Sequence, residues 1–539
     1  MTPPEVQSLS QDLGRLSRRT VLEKAARPLA AGLLLSGPLG LLAGCHRADD
    51  TETEKTAADD ALPPSGVIDD EMLAERIAEQ AVKNDRLRTA DLVIAGGGGA
   101  GLAAAARAGE LGMTVILLEK MPELGGNTRI ASGYYAAVDP LRQGAAGITD
   151  SPEEFLALLA ENASPGLDPV RWARLRRLAN DSLPVMRWLE GLGVRFSNDV
   201  LEISGSLFPR TYKPLQPNGE GYIRQLAAAA LRTGAVIRTH TAAESLVTSP
   251  KGRVLGVRAR TRDGRTIEIH ANRGVLVASG GFAASRGMIA RFAPRYADLT
   301  HDNAPGITGE MLLAAARAGA QLVDMDEVQC QPGCPPGGTR RVRFHNDVNR
   351  FIFLDRCGRR FAAEDGRRDM LRDKILALPD AMAYALVDDD GFRSYNRLIQ
   401  REAVLGVESG DAWVAETLSE LAGTVGFEPD ILEETVQRYN RGIADGRDAF
   451  GKHVAQARPI VRSPYWLAPA AMSVHATSGG IFTDENACAL DKDGRPIPGL
   501  WAAGEAAGGL HGPNQLGGCG LADAFVFGRA AADSILRAS

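Results

Sequence analysis

The sequence predicts an α/β fold, and three features of residues 91–119 carry that prediction. The apolar run Asp91-Leu92-Val93-Ile94-Ala95 reads as a strand. The glycine turn Gly96-Gly97-Gly98-Gly99-Ala100-Gly101 follows it and leads into an alanine-rich helix. A second apolar run, Val115 to Leu118, ends in Glu119 with Lys120 beside it. Gly96 permits the tight turn, Gly98 lets the backbone approach a pyrophosphate, and Gly101 lets the helix pack close to the strand. A helix N-terminus favours the phosphate charge, with Gly99 and Ala100 in its first turn. Glu119 stands 18 residues beyond Gly101, where a carboxylate can bond ribose hydroxyls. Together these features specify a dinucleotide site. The competing reading is a glycine turn that only packs.

The N-terminus points to export. Ser17-Arg18-Arg19-Thr20-Val21-Leu22 resembles a twin-arginine motif, which engages an export machinery for folded proteins. Residues 28–44 are apolar but broken by Pro and Gly, and are shorter than the ~20 residues of a membrane helix. Leu42-Ala43-Gly44-Cys45 resembles a lipobox. Residues 1–45 are therefore read as a twin-arginine lipoprotein signal peptide. Cleavage before Cys45 would leave a lipid-modified cysteine and a membrane-anchored, periplasmic or otherwise extracytoplasmic protein. An uncleaved signal anchor is the alternative. Residues 46–88 read as a solvated, Asp/Thr/Ala/Glu-rich tether followed by a charged surface helix.

A net charge of −6 and a pI near 5.9 argue against nucleic acid as a partner. Cys330, Cys334, Cys357, Cys488 and Cys519 follow Cys45 in an order with no CxxC or CxxCH, so no haem attachment or metal-ligand spacing is read. Cys330 and Cys334 either form a disulfide in an oxidising compartment or remain two buried thiols.

Farther along, residues 152–192 show helical spacing, with Phe155, Leu156, Leu159, Trp172, Leu175 and Leu178 assigned to core packing. Residues 220–240 read as a helix and a strand. A β-meander follows: Val254 to Arg260, an Asp263-Gly264 turn, and Thr266 to His270. Val275 to Ser279 reads as a separate buried strand that opens into Gly280-Gly281.

Four blocks resemble the FAD-dependent family of fumarate reductases, succinate dehydrogenase flavoproteins, L-aspartate oxidases and ketosteroid dehydrogenases. The first is the glycine loop. The second is Leu124-Gly125-Gly126-Asn127-Thr128 with Ser132-Gly133. The third is His475-Ala476-Thr477-Ser478-Gly479-Gly480. The fourth runs from Gly499 through Gly504-Glu505 to Gln515-Leu516-Gly517-Gly518. The resemblance implies a Rossmann-like FAD-binding domain over 89–325 and 470–539, containing the β-meander. It implies an inserted α+β capping domain over 326–469. It further implies that Gly126, Asn127, Thr128, Ser132, Gly133, Gly280 and Gly281 lie by the flavin, that Glu505 bonds the ribityl chain, and that Gly504 clears the ring system. The backbone of Leu516, Gly517 and Gly518 would face the pyrimidine edge. The covalent-flavin histidine of succinate dehydrogenases is not found in Asn127-Thr128-Arg129-Ile130-Ala131-Ser132, so the FAD is expected to be non-covalent.

In the catalytic set, the resemblance carries His475 onto a substrate-polarising histidine, whose neutral imidazole is expected to donate to a substrate oxygen. Arg368 falls on the proton-donating arginine, followed by Asp369, with Arg367 as a rival. An ion pair with a nearby acid is the structural alternative for Arg368. Gln331 replaces a family histidine and Gln515 replaces the arginine that clamps a substrate carboxylate. A glutamine offers no charged fork. The expected substrate is therefore a small molecule with an activated C=C bond next to a carbonyl, rather than fumarate or succinate. His345 and Asp347 either relay protons to Arg368 or lie in a solvated loop. Tyr134 and Tyr135 either line the pocket or pack in the core, and His511 is assigned a structural place. Electrons are expected to pass through a separate carrier, cytochrome or quinone-linked. A ketosteroid-type dehydrogenase and a non-catalytic FAD electron carrier or binding lipoprotein are the alternatives.

Overall fold

The computed structural model describes residues 70–338 and 340–538. The signal peptide, Cys45 and the tether lie outside the described residues. The chain forms two compact units. Among the described residues the larger comprises 70–333, Asp365–Ala377 and 472–538; the smaller comprises 334–338, 340–364 and Leu378–Ala471. Residues 326–469, read from sequence as a single cap, are thus divided between the units. The segment that carries Arg368 belongs to the larger one.

In the larger unit five parallel strands form a sheet: β1 (Thr89–Ala95), β2 (Val115–Leu118), β3 (Val236–Arg238), β4 (Thr266–Val277) and β5 (Pro496–Ala502), in the order β5-β4-β1-β2-β3. Leu92 pairs with Val115, Leu118 with Arg238, and Leu276 with Trp501. Leu92, Val93, Ile94 and Ala95 have no exposed surface, as expected of a central parallel strand covered on both faces. Cys488–Leu490 adds an antiparallel edge strand to β5.

Helix α1 (Gly99–Glu110) connects β1 to β2. Its alanines allow close packing, and two glycines permit the tightest approaches. A Cβ on Gly101 would lie 2.0 Å from the Gly96 carbonyl oxygen. A Cβ on Gly528, in the C-terminal helix Cys519–Arg537, would lie 2.4 Å from the Ala100 oxygen. Gly101→Ala is therefore expected to push α1 off β1 and to destabilise the unit by about 1–3 kcal/mol, the usual range for overpacking. Calorimetric Tm measurement checks this.

The meander differs from the sequence reading. Thr266–His270 and Val275–Val277 are not separate strands but the two ends of β4. Its first part pairs antiparallel with Val254–Arg260, and its later part pairs parallel with β1. Gly274 lies within the later part, opposite Leu92, where a Cβ would lie 2.3 Å from the Trp501 ring. A further strand, Ala242–Thr248, completes the meander. Residues 152–192 form two helices, Pro152–Asn162 and Pro169–Gly191, each capped by an acceptor side chain (Ser151 and Asp168) and each with proline in its first turn. Phe155, Leu159, Leu175 and Leu178 are buried, whereas Trp172 is exposed and not part of the core.

In the smaller unit, Met382–Val387 pairs antiparallel with residues 466–471 and with Ile352–Leu354, and Trp413–Ala415 pairs with residues 465–467. Leu421, Phe427, Leu432, Val436 and Ile460 pack against these strands. Beside this core lies a buried ion network. Arg360 donates to Glu364 at 2.8 and 3.0 Å and to Asp448 at 2.6 Å. Lys452 Nζ is 3.1 Å from Glu364 and donates to the Phe351 carbonyl at 2.9 Å. Among the described residues, no helix is long and apolar enough to cross a membrane.

Candidate active site

The larger unit presents a nucleotide cradle. Gly96 has φ +117°, and a Cβ there would lie 2.3 Å from the Ala278 oxygen, so only glycine fits this turn. Gly98 precedes α1 without any side-chain cap. A Cβ on Gly98 would meet nothing nearer than the Gly125 oxygen at 3.7 Å, which leaves open space before the positive helix end. Ala100 is buried in the first turn of α1, and the Gly99 amide donates to Thr128 Oγ1 at 3.2 Å. The Glu119 carboxylate accepts from the amides of Gly97 and Met121, both at 2.8 Å. Burial pushes its carboxyl above the usual range. Lys120 pairs with Glu310 at 3.1 Å.

The second and third blocks meet at this cradle. Gly125 (φ +118°) and Gly126 (φ +48°) open the short helix Gly126–Ile130. Asn127 Nδ2 donates to Asn303 Oδ1 at 2.6 Å and to Glu505 Oε2 at 3.0 Å. Glu505 Oε1 accepts from the Thr477 amide at 3.0 Å, and burial raises this carboxyl. A Cβ on Gly281 would lie 2.0 Å from Thr477 Oγ1, and one on Gly504 3.0 Å from the Ala100 Cβ. Gly280 is left-handed at φ +75°. Ser132 is half-buried, and the Gly133 carbonyl accepts from the Tyr222 hydroxyl at 2.8 Å. Ser279 Oγ is buried without a protein partner. Open space before an uncapped helix, a buried carboxylate opposite it and an orphaned hydroxyl fit a bound dinucleotide.

The fourth block makes several contacts within the protein. The Gly517 amide, expected to face the flavin edge, donates to the Gly205 carbonyl at 2.9 Å. The Gly518 carbonyl accepts from Ala136 at 3.2 Å. The Gln515 amide donates to buried Gln329 Oε1 at 3.0 Å, and its carboxamide packs against Gly520, where a Cβ would lie 3.1 Å away.

Arg368 begins helix α2 (Arg368–Leu376). Asn514 Oδ1 accepts its amide at 3.0 Å, and Nη2 donates to the Ser204 carbonyl. Asn514 is fully buried and donates to Asn162 Oδ1 at 2.6 Å. The Ile203–Ser206 turn thus touches both Arg368 and Gly517. No carboxylate of the described residues lies in ion-pair range of Arg368, and burial lowers its guanidinium to about 10. Arg367, the rival, is held bidentately by Asp369 at 3.0 and 2.9 Å. This bond overrides the effect of burial and lowers Asp369. Asp369 therefore neutralises Arg367 and leaves Arg368 without a counter-ion.

His475 lies in the strand Tyr465–Thr477. Its Nδ1 is 3.0 Å from both carboxylate oxygens of Asp302 and 2.7 Å from Gln331 Nε2. Gln331 also donates to Asp302 Oδ2 at 3.0 Å. Asp302, Asn514 and the Ser204 carbonyl were not anticipated. No local motif marks Asp302 or Ser204, whereas Asn514 adjoins Gln515 within the fourth block.

Other candidates sit elsewhere. Tyr135 is fully buried, stacks with Phe525 and donates to the Ser182 carbonyl at 2.8 Å, so it is core. Lys213 lies 5.8 Å from the Tyr134 ring. His511 lies 3.4 Å from Asp523, both buried. His345 and Asp347 belong to the smaller unit, where Arg343 pairs with Glu402 at 3.0 Å. Cys330 and Cys334 are free thiols, so of the two readings the unbridged one holds. Among the described residues, no group of three His, Cys, Asp or Glu side chains could hold a metal.

Comparison with known proteins agrees with this cradle. The FAD binding domain family matches residues 91–521. Urocanate reductase of Eggerthella lenta is 33% identical over 487 residues, which cover 88% of this chain and 79% of that protein. NADH:acrylate oxidoreductase of Vibrio harveyi is 31% identical over 509 residues, which cover 83% of this chain; the chain spans only 50% of that protein's length. The open conformation of a flavocytochrome c3 fumarate reductase superposes with a TM-score of 0.68 at 29% identity, covering 90% of this chain and 82% of that one. The chain therefore belongs to the FAD-binding family of flavoprotein oxidoreductases, and FAD is the cofactor its nucleotide cradle serves.

Proposed function

We propose that this chain is an exported, lipid-anchored flavoenzyme that reduces a C=C bond conjugated to a carbonyl, with Arg368 as proton donor. The observation that carries this reading is the state of Arg368, which is half-buried, held by a carbonyl and not a carboxylate, and lowered to about 10 by desolvation. A free guanidinium keeps its proton too tightly to act as an acid. An ion-paired one keeps it tighter still, which favours Arg368 over Arg367.

Bound FAD, held without a covalent link by the cradle residues, supplies hydride at its N5. His475 polarises the substrate carbonyl. Arg368 protonates the carbon next to that carbonyl, with Asn514 holding its backbone amide and the Ser204 carbonyl accepting from its guanidinium. A separate carrier, cytochrome or quinone-linked, supplies electrons.

Gln515 in place of a clamping arginine removes a charged hydrogen bond worth about 1.5–3 kcal/mol. A neutral enone or an unsaturated monocarboxylate is thus favoured over a dicarboxylate. The acrylate and urocanate named for two relatives are unsaturated monocarboxylates. Anaerobic stopped-flow reoxidation of the reduced flavoprotein tests this with acrylate, urocanate, cinnamate, a steroid enone and fumarate. Fast reoxidation by one of the first four, with fumarate slower, is the expected result. Fast reoxidation by fumarate would overturn the substrate argument. Silence across the panel would favour dehydrogenation or an electron carrier. Gln515→Arg is expected to tighten fumarate binding by about one to two decades, the same energy expressed as affinity.

The pH dependence has a defined sign. Arg368 donates only while protonated, so the limb of the reductive rate that Arg368 governs falls as pH rises through about 10. Single-turnover reoxidation measured up to pH 11 checks this, with about a tenfold loss per pH unit above that point if proton transfer limits the rate.

A further inference from the structure

We propose that Asp302 is a positioning residue that decides which ring nitrogen His475 presents to the substrate, an inference that rests on the reductase reading above. Strand register creates the contact. Thr300–His301 runs parallel to Tyr465–Thr477, with Thr300 opposite Ser473 and His301 opposite Val474. The next residues, Asp302 and His475, therefore fall side by side. The Val474 carbonyl secures this end of the pairing, accepting from Asn303 Nδ2 at 2.9 Å and from the Asp302 amide at 3.3 Å. Val328–Gly333 neighbours the same strand and delivers Gln331.

The chemistry of three close polar groups fixes the tautomer. A ring nitrogen 3.0 Å from both oxygens of a carboxylate must carry a hydrogen, because a bare lone pair there would face negative charge. Nδ1–H therefore donates to Asp302. Gln331 Nε2 cannot also donate to that nitrogen, so it too donates to Asp302. With both groups donating to Asp302, the 2.7 Å between the two nitrogens is a close contact and not a hydrogen bond.

It follows that neutral His475 carries its lone pair on Nε2. In this proposal the donating neutral imidazole expected from the sequence gives way to an Nε2 that donates only when both ring nitrogens carry hydrogen. As negative charge develops on the substrate carbonyl oxygen, Nε2–H is the group that meets it, while Arg368 gives its proton to carbon. Glu505 adds a second acidic side chain near the ring.

The test is nitrogen NMR of the FAD-loaded protein labelled with ¹⁵N-histidine, at a pH where imidazole is neutral. Comparison with His475→Gln assigns the signal among eight histidines. The expected result is the Nδ1–H tautomer in the wild type and its loss in Asp302→Ala. An Nε2–H wild type, or an Nδ1–H signal unchanged in Asp302→Ala, would overturn the proposal, and the wild-type spectrum suffices for the first if the variant fails to fold. Asp302→Asn is expected to slow flavin reoxidation by about 10–100-fold, the usual effect of removing a ligand's orienting partner. If no alkene reoxidises the flavin although the tautomer is as expected, the reductase reading falls and the assignment of Asp302 to His475 stands.

Discussion

Arg368→Ala abolishes alkene reduction while the protein retains FAD: the rate of flavin reoxidation by the preferred alkene falls by about 10²–10⁴-fold, the range for losing a positioned general acid. The prediction separates chemistry from folding, because Arg368 makes no ion pair whose loss would strand a buried carboxylate. The flavin absorbance and Tm are expected to stay close to wild type. Arg367→Ala is the paired control. It frees Asp369 from a bidentate partner on a partly exposed surface, and such pairs contribute about 0–1 kcal/mol. Its catalytic effect is expected to be small. If Arg367→Ala abolished turnover and Arg368→Ala did not, the proton donor would be reassigned.

Glu364→Ala is expected to give the largest loss of stability in the smaller unit. The Glu364 and Lys452 side chains have no exposed surface, and Arg360 is 5% exposed. Burial alone would raise the Glu364 carboxyl, but Lys452 and Arg360 beside it outweigh that and hold it below the ordinary value of 4.5. Removing the carboxylate leaves Arg360 with Asp448 and the Lys452 ammonium with the Phe351 carbonyl and Tyr439 hydroxyl, and breaking a buried pair in this way costs about 3–5 kcal/mol. Urea unfolding followed by limited proteolysis of the smaller unit would measure it. The pH dependence of the wild type follows from the same shift. The folded carboxyl is lowered, so its contribution is present above the unfolded value near 4.5 and is lost as pH falls through the folded value. Glu364→Gln is expected to abolish that acid-limb dependence.

Much of the fold was legible because its signals are local. The strand, glycine turn and helix of residues 91–110 are contiguous, and each glycine there answers a backbone requirement that sequence spacing records. The meander was only half legible. β4 changes partners midway, and nothing in a run of apolar residues tells a strand which neighbour it will pair with at each end. Trp172 misled for a similar reason, since helical periodicity marks a face without showing what covers it.

The sequence by itself determined the FAD family, the residue types at the site, and the presence of Arg368, His475 and two glutamines where a family histidine and arginine are expected. Only the tertiary structure decided their states. It gave Asp369 to Arg367 and a neutral carbonyl to Arg368, turned Gln331 onto Asp302, and placed Asp302 against a histidine 173 positions away. The physical reason is that residue type sets what a side chain can donate or accept, whereas strand register and burial set which partner it meets, and the partner governs the proton.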